Sequence, residues 1–280
     1  MVEKVLVPVD GSELAARVLA PVGKLLEGSG RLILMRIVPE RPPAEEEALL
    51  DDAQAALNEL AESLAGTGLA VETRLEHGDP ATLILEAAER ERVDLVAMST
   101  HGRTGVSRLV RGSVAERVLR RCSSPVLLCT PAALEADRVA GGFARILVPL
   151  DGSELSAAVL PHVERLSRAY GSSVTLLRVE PFVPSTVPSP LVLRDSWDPA
   201  ALEATLAPYR ERLAEAGVDV TVRATLGIEA VEILAAAEQA DLVAMTTHGR
   251  SGLSRWWFGS VAEQVLRHCA RPLLVVRSSE

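Results

Sequence analysis

Two stretches of this chain decide its fold: MSTHGRTGVSRLVRGSVAERVL at residues 98–119 and MTTHGRSGLSRWWFGSVAEQVL at residues 245–266. In each, a loop containing glycines stands between an apolar run and the start of a predicted helix. Glycine lets a ligand approach the main chain without meeting a Cβ. A helix start offers backbone N–H groups and a partial positive charge that favour phosphate. The motif therefore indicates either a tight strand-to-helix turn or an anion-binding loop.

The rest of the chain is duplicated in the same order. The first repeat begins with KVLVPVDGSELAARVLAPVGKLL (4–26), which matches RILVPLDGSELSAAVLPHVERLS (145–167) in the second. A period of about 140 residues is the size of a domain rather than of a solenoid repeat. We predict a first domain over residues 1–130, a linker over 131–143 and a second domain over 144–280.

Short β-branched runs alternate with helical patterns in each repeat. In the first repeat the runs are VEKVLVPV, RLILMRIV, LAVETRLE, VDLVAMST and PVLLCT. Such runs are typical of buried parallel strands, and their alternation with helices predicts helices on both faces of the sheet. Right-handed crossovers favour the strand order 3-2-1-4-5. The predicted fold is α/β, with a five-stranded parallel sheet in each of two tandem domains.

That strand order predicts a ligand-binding crevice at the carboxyl ends of strands 1 and 4. Asp10 and Asp151 follow strand 1 there, where a carboxylate accepts hydrogen bonds from ribose hydroxyls or an adenine amino group. An Asx turn that caps the first helix explains these residues equally well. Ser12 and Ser153 are predicted helix caps rather than nucleophiles.

The GSVAE segment that closes each motif predicts a helix start. Ser113 with Glu116, and Ser260 with Glu263, have the spacing of a capping box with the serine as N-cap. A P-loop would need a lysine in this setting, and the only two lysines of the chain stand elsewhere. The loop histidines, His101 and His248, either contact phosphate or hold the turn, and the second interpretation is favoured.

Composition excludes several classes of protein. A net charge of -9 over 280 residues argues against general binding of nucleic acid or of anionic lipid. No apolar run approaches the ~20 residues of a membrane-spanning helix, and the N-terminus lacks a signal-peptide pattern, so we expect a cytoplasmic protein. The three cysteines, Cys122, Cys129 and Cys269, have no metal-ligand spacing and are predicted to be buried.

Three features together resemble the universal stress protein (UspA) family: a strand ending in VPxDGS, the pattern M-x-THGRxG-x6-GSVAE, and a closing PVLL or PLLVV strand. The resemblance covers nearly the whole chain as a tandem pair. It implies Rossmann-like domains of the adenine nucleotide alpha hydrolase type, which pair through their last strands. In many members it also implies ATP held by the pattern G-x2-G-x9-G-[ST].

The candidate binding residues are of the same kinds in both repeats, and the resemblance assigns most of them. In the first repeat they are Pro8, Val9, Asp10, Val38, Met98, Ser99, His101, Gly102, Arg103, Gly112, Ser113 and Val114. In the second repeat they are Pro149, Leu150, Asp151, Val179, Met245, Thr246, His248, Gly249, Arg250, Gly259, Ser260 and Val261. The first glycine of the pattern is replaced by Ser99 and Thr246. Because a Cβ there crowds ribose or phosphate, more so in branched Thr246, the first repeat is the stronger candidate.

The leading hypothesis is a cytoplasmic ATP-binding stress-response or signalling module, with Mg²⁺ as a candidate companion of the phosphates. A second hypothesis is a slow ATPase or self-phosphorylating enzyme, in which Arg103 and Arg250 offset developing charge, although no general base is evident. A third is a structural interaction protein that binds no nucleotide and in which the last strands pair the two repeats. Association into a homodimer is compatible with each hypothesis.

Overall fold

The computed structural model describes residues 2–39, 43–100, 113–135, 142–181, 198–247 and 259–277. The chain divides into two compact units. The first consists of Met1–Gly142 together with Cys269–Arg277, and the second of Phe143–His268. These two units do not coincide with the two sequence repeats, because the last strand of the second repeat belongs to the first unit.

The first unit is an α/β structure. Its strands are β1 (Lys4–Val9), β2 (Gly30–Val38), β3 (Leu69–His77), β4 (Leu95–Ser99) and β5 (Val126–Cys129). Its helices are α1 (Glu13–Arg17), α2 (Leu19–Leu26), α3 (Pro43–Ser63), α4 (Pro80–Arg90), α5 (Ser113–Arg121) and α6 (Pro131–Glu135). The strands pair in parallel in the order β3-β2-β1-β4-β5, which confirms the predicted order 3-2-1-4-5.

The central strands of the first unit are buried on both faces. Consecutive residues Val5–Val7 of β1 and Leu32–Met35 of β2 are buried. Since neighbouring side chains of a strand point to opposite faces, both faces of the sheet are covered at these strands. The carboxylate of Asp94 accepts hydrogen bonds from the backbone N–H groups of Glu3 and Lys4 at 2.9 and 3.0 Å, which ties the chain before β4 to the start of β1.

The C-terminal strand, β10 (Leu273–Val276), lies in the first unit. It pairs with β5 in the antiparallel sense, with Leu274 opposite Leu127. The hydroxyl of Thr130 donates a 2.7 Å hydrogen bond to the Cys269 carbonyl and accepts one from the Ala133 N–H at 3.1 Å. This buried hydroxyl therefore connects the segment before β10 to the start of α6. Helix α6 lies within residues 131–143, which the sequence predicts as a linker.

The second unit repeats the same plan. Its strands are β6 (Arg145–Pro149), β7 (Ser173–Pro181), β8 (Val220–Gly227) and β9 (Leu242–Thr246). Its helices are α7 (Glu154–Ala157), α8 (Leu160–Tyr170), α9 (Pro199–Ala204), α10 (Ala207–Glu215), α11 (Glu229–Ala237) and α12 (Ser260–His268). The strand order is β9-β6-β7-β8, with parallel pairing of β6 to β7 and β9 and of β7 to β8. This order matches that of the first four strands of the first repeat.

The three cysteines are buried thiols, as the sequence predicts. Burial raises the pKa of Cys129 to about 12 and that of Cys269 to about 11, and it also raises the pKa of Cys122. Reactive cysteines need a thiolate, so these side chains act as small core residues. Within the described ranges, none of the helices is long and apolar enough to cross a membrane.

Replacing Thr130 by valine tests the contact between the β10 segment and α6. The change keeps the shape of the side chain but leaves the Cys269 carbonyl and the Ala133 N–H without their buried partner. We expect a loss of about 1–3 kcal/mol in the free energy of unfolding, measured by urea denaturation. The control is Thr67→Val, which removes an exposed hydroxyl bonded to the Leu64 carbonyl and should cost less than about 0.5 kcal/mol. Equal effects of the two changes would contradict this interpretation.

Candidate functional site

The second unit contains a cleft of about 510 Å³ at the carboxyl ends of its parallel strands. Four parts of the chain meet there, namely the β6–α7 region, the end of β7, the first turns of α11, and the end of β9 with the start of α12. The lining residues are Pro149, Leu150, Asp151, Ser156, Leu177, Arg178, Val179, Glu180, Pro181, Glu229, Ile233, Met245, Thr246, Thr247, Gly259, Ser260, Val261 and Ala262. The cleft lies where the sequence predicts a crevice.

Most of the site residues predicted in the second repeat line this cleft. They are Pro149, Leu150, Asp151, Val179, Met245, Thr246, Gly259, Ser260 and Val261. Thr246, which replaces the first glycine of the pattern, is buried in the cleft wall beside Thr247. His248, Gly249 and Arg250 lie outside the described residues.

The first repeat places its predicted residues at equivalent points. Pro8 and Val9 end β1, Val38 ends β2, Met98 and Ser99 end β4, and Ser113 and Val114 begin α5. Because β2, β1 and β4 are neighbouring parallel strands, these ends lie at one edge of the sheet. His101, Gly102, Arg103 and Gly112 fall outside the described part of the chain.

Both aspartates form the turn between strand and helix. Asp10 Oδ1 accepts hydrogen bonds from the Ser12 N–H at 3.0 Å and from its hydroxyl at 2.6 Å. Asp151 Oδ1 accepts the same two bonds from Ser153 at 2.9 and 2.6 Å. The Asx turn is thus confirmed, and since a carboxylate has further lone pairs, it does not preclude contact with a ligand.

The serines of these turns are helix caps, as predicted. The Ser12 hydroxyl accepts a hydrogen bond from the Ala15 N–H at 3.2 Å, and the Ser153 hydroxyl accepts one from the Ser156 N–H at 3.1 Å. The intervening Gly11 has a φ of +82°, which a side chain would strain. The DGS sequence therefore turns the chain from strand to helix and leaves the aspartate at the cleft.

The start of α12 differs from the predicted capping box. The Gly259 carbonyl accepts the 2.9 Å hydrogen bond from the Glu263 N–H, so Gly259 is the N-cap and Ser260 is the first helical residue. The prediction of Ser260 as N-cap is wrong by one position. Glu263 forms an ion pair with Arg267 at 2.9 Å, and Glu116 forms one with Arg120. The N–H groups of residues 260–262 have no partner within the helix, and all three residues line the cleft.

Sequence reasoning missed one arginine in each repeat. Arg36 and Arg178 are buried in β2 and β7. The guanidinium of Arg36 lies on Gly11, where an added Cβ would be 2.9 Å from its Cζ, and Arg178 lines the cleft of the second unit. A lone cation in the apolar runs LILMRIV and TLLRVE is the sequence signal for these residues.

Three further residues of the second repeat are outside the predicted set. Glu180 and Glu229 line the cleft. Burial, the charge of Glu154 and a hydrogen bond to it, and the charge of Asp151 raise the pKa of the Tyr209 hydroxyl in α10. No pattern in the sequence marked them, since Glu180 is the next-to-last residue of β7, Tyr209 lies in the first turn of α10 and Glu229 begins α11. Among the described residues, no group of three or more His, Cys, Asp or Glu is placed to hold a metal ion.

A polar contact beside the first-repeat site has no counterpart in the second. Asp79, the N-cap of α4, accepts two 2.7 Å hydrogen bonds from Arg117 of α5. These bonds and those from Thr82 hold the pKa of Asp79 well below its usual range. The pair ties α5 to α4, whereas exposed Ile228 stands at the place of Asp79 in the second repeat.

Comparison with known proteins gives a consistent result. The model of the universal stress protein family matches residues 1–130 and 142–277. A universal stress protein of Methanocaldococcus jannaschii is 33% identical over 139 residues, which cover 45% of this chain and 81% of that protein.

Two solved structures show the range of structural likeness. A universal stress protein from Archaeoglobus fulgidus shares the fold with a TM-score of 0.75 at 22% identity, over 99% of this chain and 97% of that one. A universal stress protein solved in complex with cAMP is 25% identical with a TM-score of 0.38, over 46% of this chain and 97% of that one.

Substitution of Asp151 tests how much its Asx turn stabilises the fold. Asp151→Ala removes the carboxylate that accepts two hydrogen bonds from Ser153 and should lower the free energy of unfolding by about 1–2 kcal/mol. Asp151→Asn keeps an acceptor oxygen, so we expect less than half of that loss. Urea denaturation followed by circular dichroism measures both. If the alanine variant is as stable as the unchanged protein, the Asx turn does not stabilise the fold.

Proposed function

This chain belongs to the universal stress protein family, and we propose that it is a nucleotide-dependent stress-response module that binds ATP in the crevices of its repeats. The observation that carries the proposal is the meeting of Asp151 and the first N–H groups of α12 in one cleft. A cytoplasmic location and association into a homodimer stay predictions from the sequence and the resemblance.

The size and lining of the cleft support a small organic ligand. A volume of about 510 Å³ lies in the range of small-molecule sites, which combine apolar walls with a few polar groups. Leu150, Val179 and Met245 supply apolar wall, and Asp151 supplies a carboxylate. An adenine ring and a ribose need this combination of surfaces.

The start of α12 supports a phosphate at the other end of the ligand. Three backbone N–H groups without intrahelical partners, at the positive end of a helix dipole, favour a phosphate group. The first repeat offers the equivalent residues, Ser113 and Val114, at the start of α5. The universal stress protein solved with cAMP is a nucleotide complex of that protein, and the proposal for this chain rests on the cleft itself.

The direct experiment is titration of the purified chain with ATP and Mg²⁺ by calorimetry, with mass spectrometry of small molecules released on denaturation. The proposal expects ATP to bind. Absence of both released nucleotide and binding heat would reject it in favour of a structural interaction protein. Hydrolysis is a separate question, which phosphate release from the same samples answers.

A proline at the first helical position tests the backbone contact. Proline is well tolerated there but has no N–H, so Ser260→Pro should weaken binding at the second cleft by about tenfold or more. Ser260→Ala removes only the hydroxyl and should cost less than about threefold. Ser113→Pro and Ser113→Ala form the matched pair in the first repeat. Unchanged affinity in both proline variants would show that these N–H groups do not bind phosphate.

A further inference from the structure

The described residues that line the second cleft carry an excess of negative charge. Asp151, Glu180 and Glu229 contribute three carboxylates, and Arg178 contributes one guanidinium. A nucleotide that enters this cleft therefore meets more anionic than cationic side chains among them.

The pairing registers identify the same positions in the first repeat. Pro8 of β1 pairs with Met35, and Pro149 of β6 pairs with Leu177. Counting along each strand, Arg36 matches Arg178, and Val38 matches Glu180. The predicted contacts Val38 and Val179 are therefore not equivalent, because Val179 matches Ile37.

The next strand gives the remaining match. Val38 pairs with His77 of β3, and Glu180 pairs with Leu226 of β8. Three residues further along, Pro80 matches Glu229 at the first residue of the following helix. Glu180 and Glu229 thus stand where the first repeat has Val38 and Pro80. At the four matched positions the second repeat has Asp151, Arg178, Glu180 and Glu229, and the first repeat has Asp10, Arg36, Val38 and Pro80.

The geometry shows how far the charges in the second cleft cancel. Arg178 Nη2 lies 3.9 Å from Glu180 Oε2, and the arginine is buried while the Glu180 side chain is 44% exposed. Over the described lining residues as a whole, three carboxylates accompany one guanidinium. Glu229 stands at the start of α11, where the helix dipole stabilises a carboxylate.

We propose that the second-repeat cleft selects adenosine ligands with at most one phosphate over the triphosphate. The proposal rests on the proposed function. A single phosphate satisfies the N–H groups of α12. Each further phosphate adds negative charge to a cleft whose described lining already holds more carboxylates than guanidinium groups, and repulsion between like charges weakens binding. The first repeat lacks both glutamates and does not impose this penalty.

The test compares AMP with ATP by calorimetry in the Ser113→Pro variant, which weakens the first-repeat site. Without Mg²⁺, we expect AMP to bind about tenfold or more tightly than ATP. The double variant Glu180→Gln/Glu229→Gln keeps the shapes of the side chains and removes two charges. It should tighten ATP binding by about tenfold and change AMP binding by less than about threefold.

The control is Glu215→Gln, an exposed change at the end of α10, which should leave the AMP-to-ATP ratio as it was. ATP binding as tight as AMP binding in the Ser113→Pro variant would overturn the selectivity. A ratio that the double glutamine variant does not change would overturn the role of the glutamates. If neither nucleotide binds the unchanged protein, the proposed function itself fails, which is a different result.

Discussion

The parallel arrangement of β6, β7 and β9 is the constraint on which the candidate site depends. Parallel strands bring all their carboxyl ends to the same edge of a sheet, so residues from distant parts of the chain meet there without a dedicated scaffold. The helix that follows β9 then presents its N-terminus to the same edge. The cleft between Asp151 and residues 260–262 of α12 is a direct consequence of this geometry.

The turns from β1 to α1 and from β6 to α7 hold a carboxylate at the edge of the sheet as part of folding. Asp10 and Asp151 each use a single oxygen to hold a serine N–H and hydroxyl, and that serine in turn caps the helix. The carboxylate is thereby held in place at the edge of the sheet. Such a group costs little additional ordering entropy when it contacts a ligand, because folding has already fixed it.

The two repeats have kept the fold and diverged around the site. Asp79 and Arg117 join α4 to α5 in the first repeat, while exposed Ile228 and Val231 occupy the corresponding helix face in the second. Glu180 and Glu229 have replaced uncharged residues at the cleft. The backbone tolerates these changes because they lie on strand ends and first helical turns, away from the buried runs of β1 and β6. The divergence therefore changes the charge of the cleft lining and leaves these buried runs as they are.

The sequence by itself determined the duplication, the α/β class, the strand order and the region of the crevice. These features depend on local periodicity, on the handedness of crossovers and on motifs that sit next to one another in the chain. It also identified Ser12 and Ser153 as caps, because capping involves residues only three positions apart.

Only the tertiary structure decided which side chains share the cleft. Arg178 and Glu180 come from β7 and Glu229 from the start of α11, about fifty residues further along the chain, and no local pattern relates them. The structure also placed the N-cap at Gly259 rather than Ser260, and it paired β10 with β5, as the resemblance to the family implies. The physical reason is that packing between segments distant in the chain brings the residues of the cleft together, and local sequence patterns do not specify such contacts.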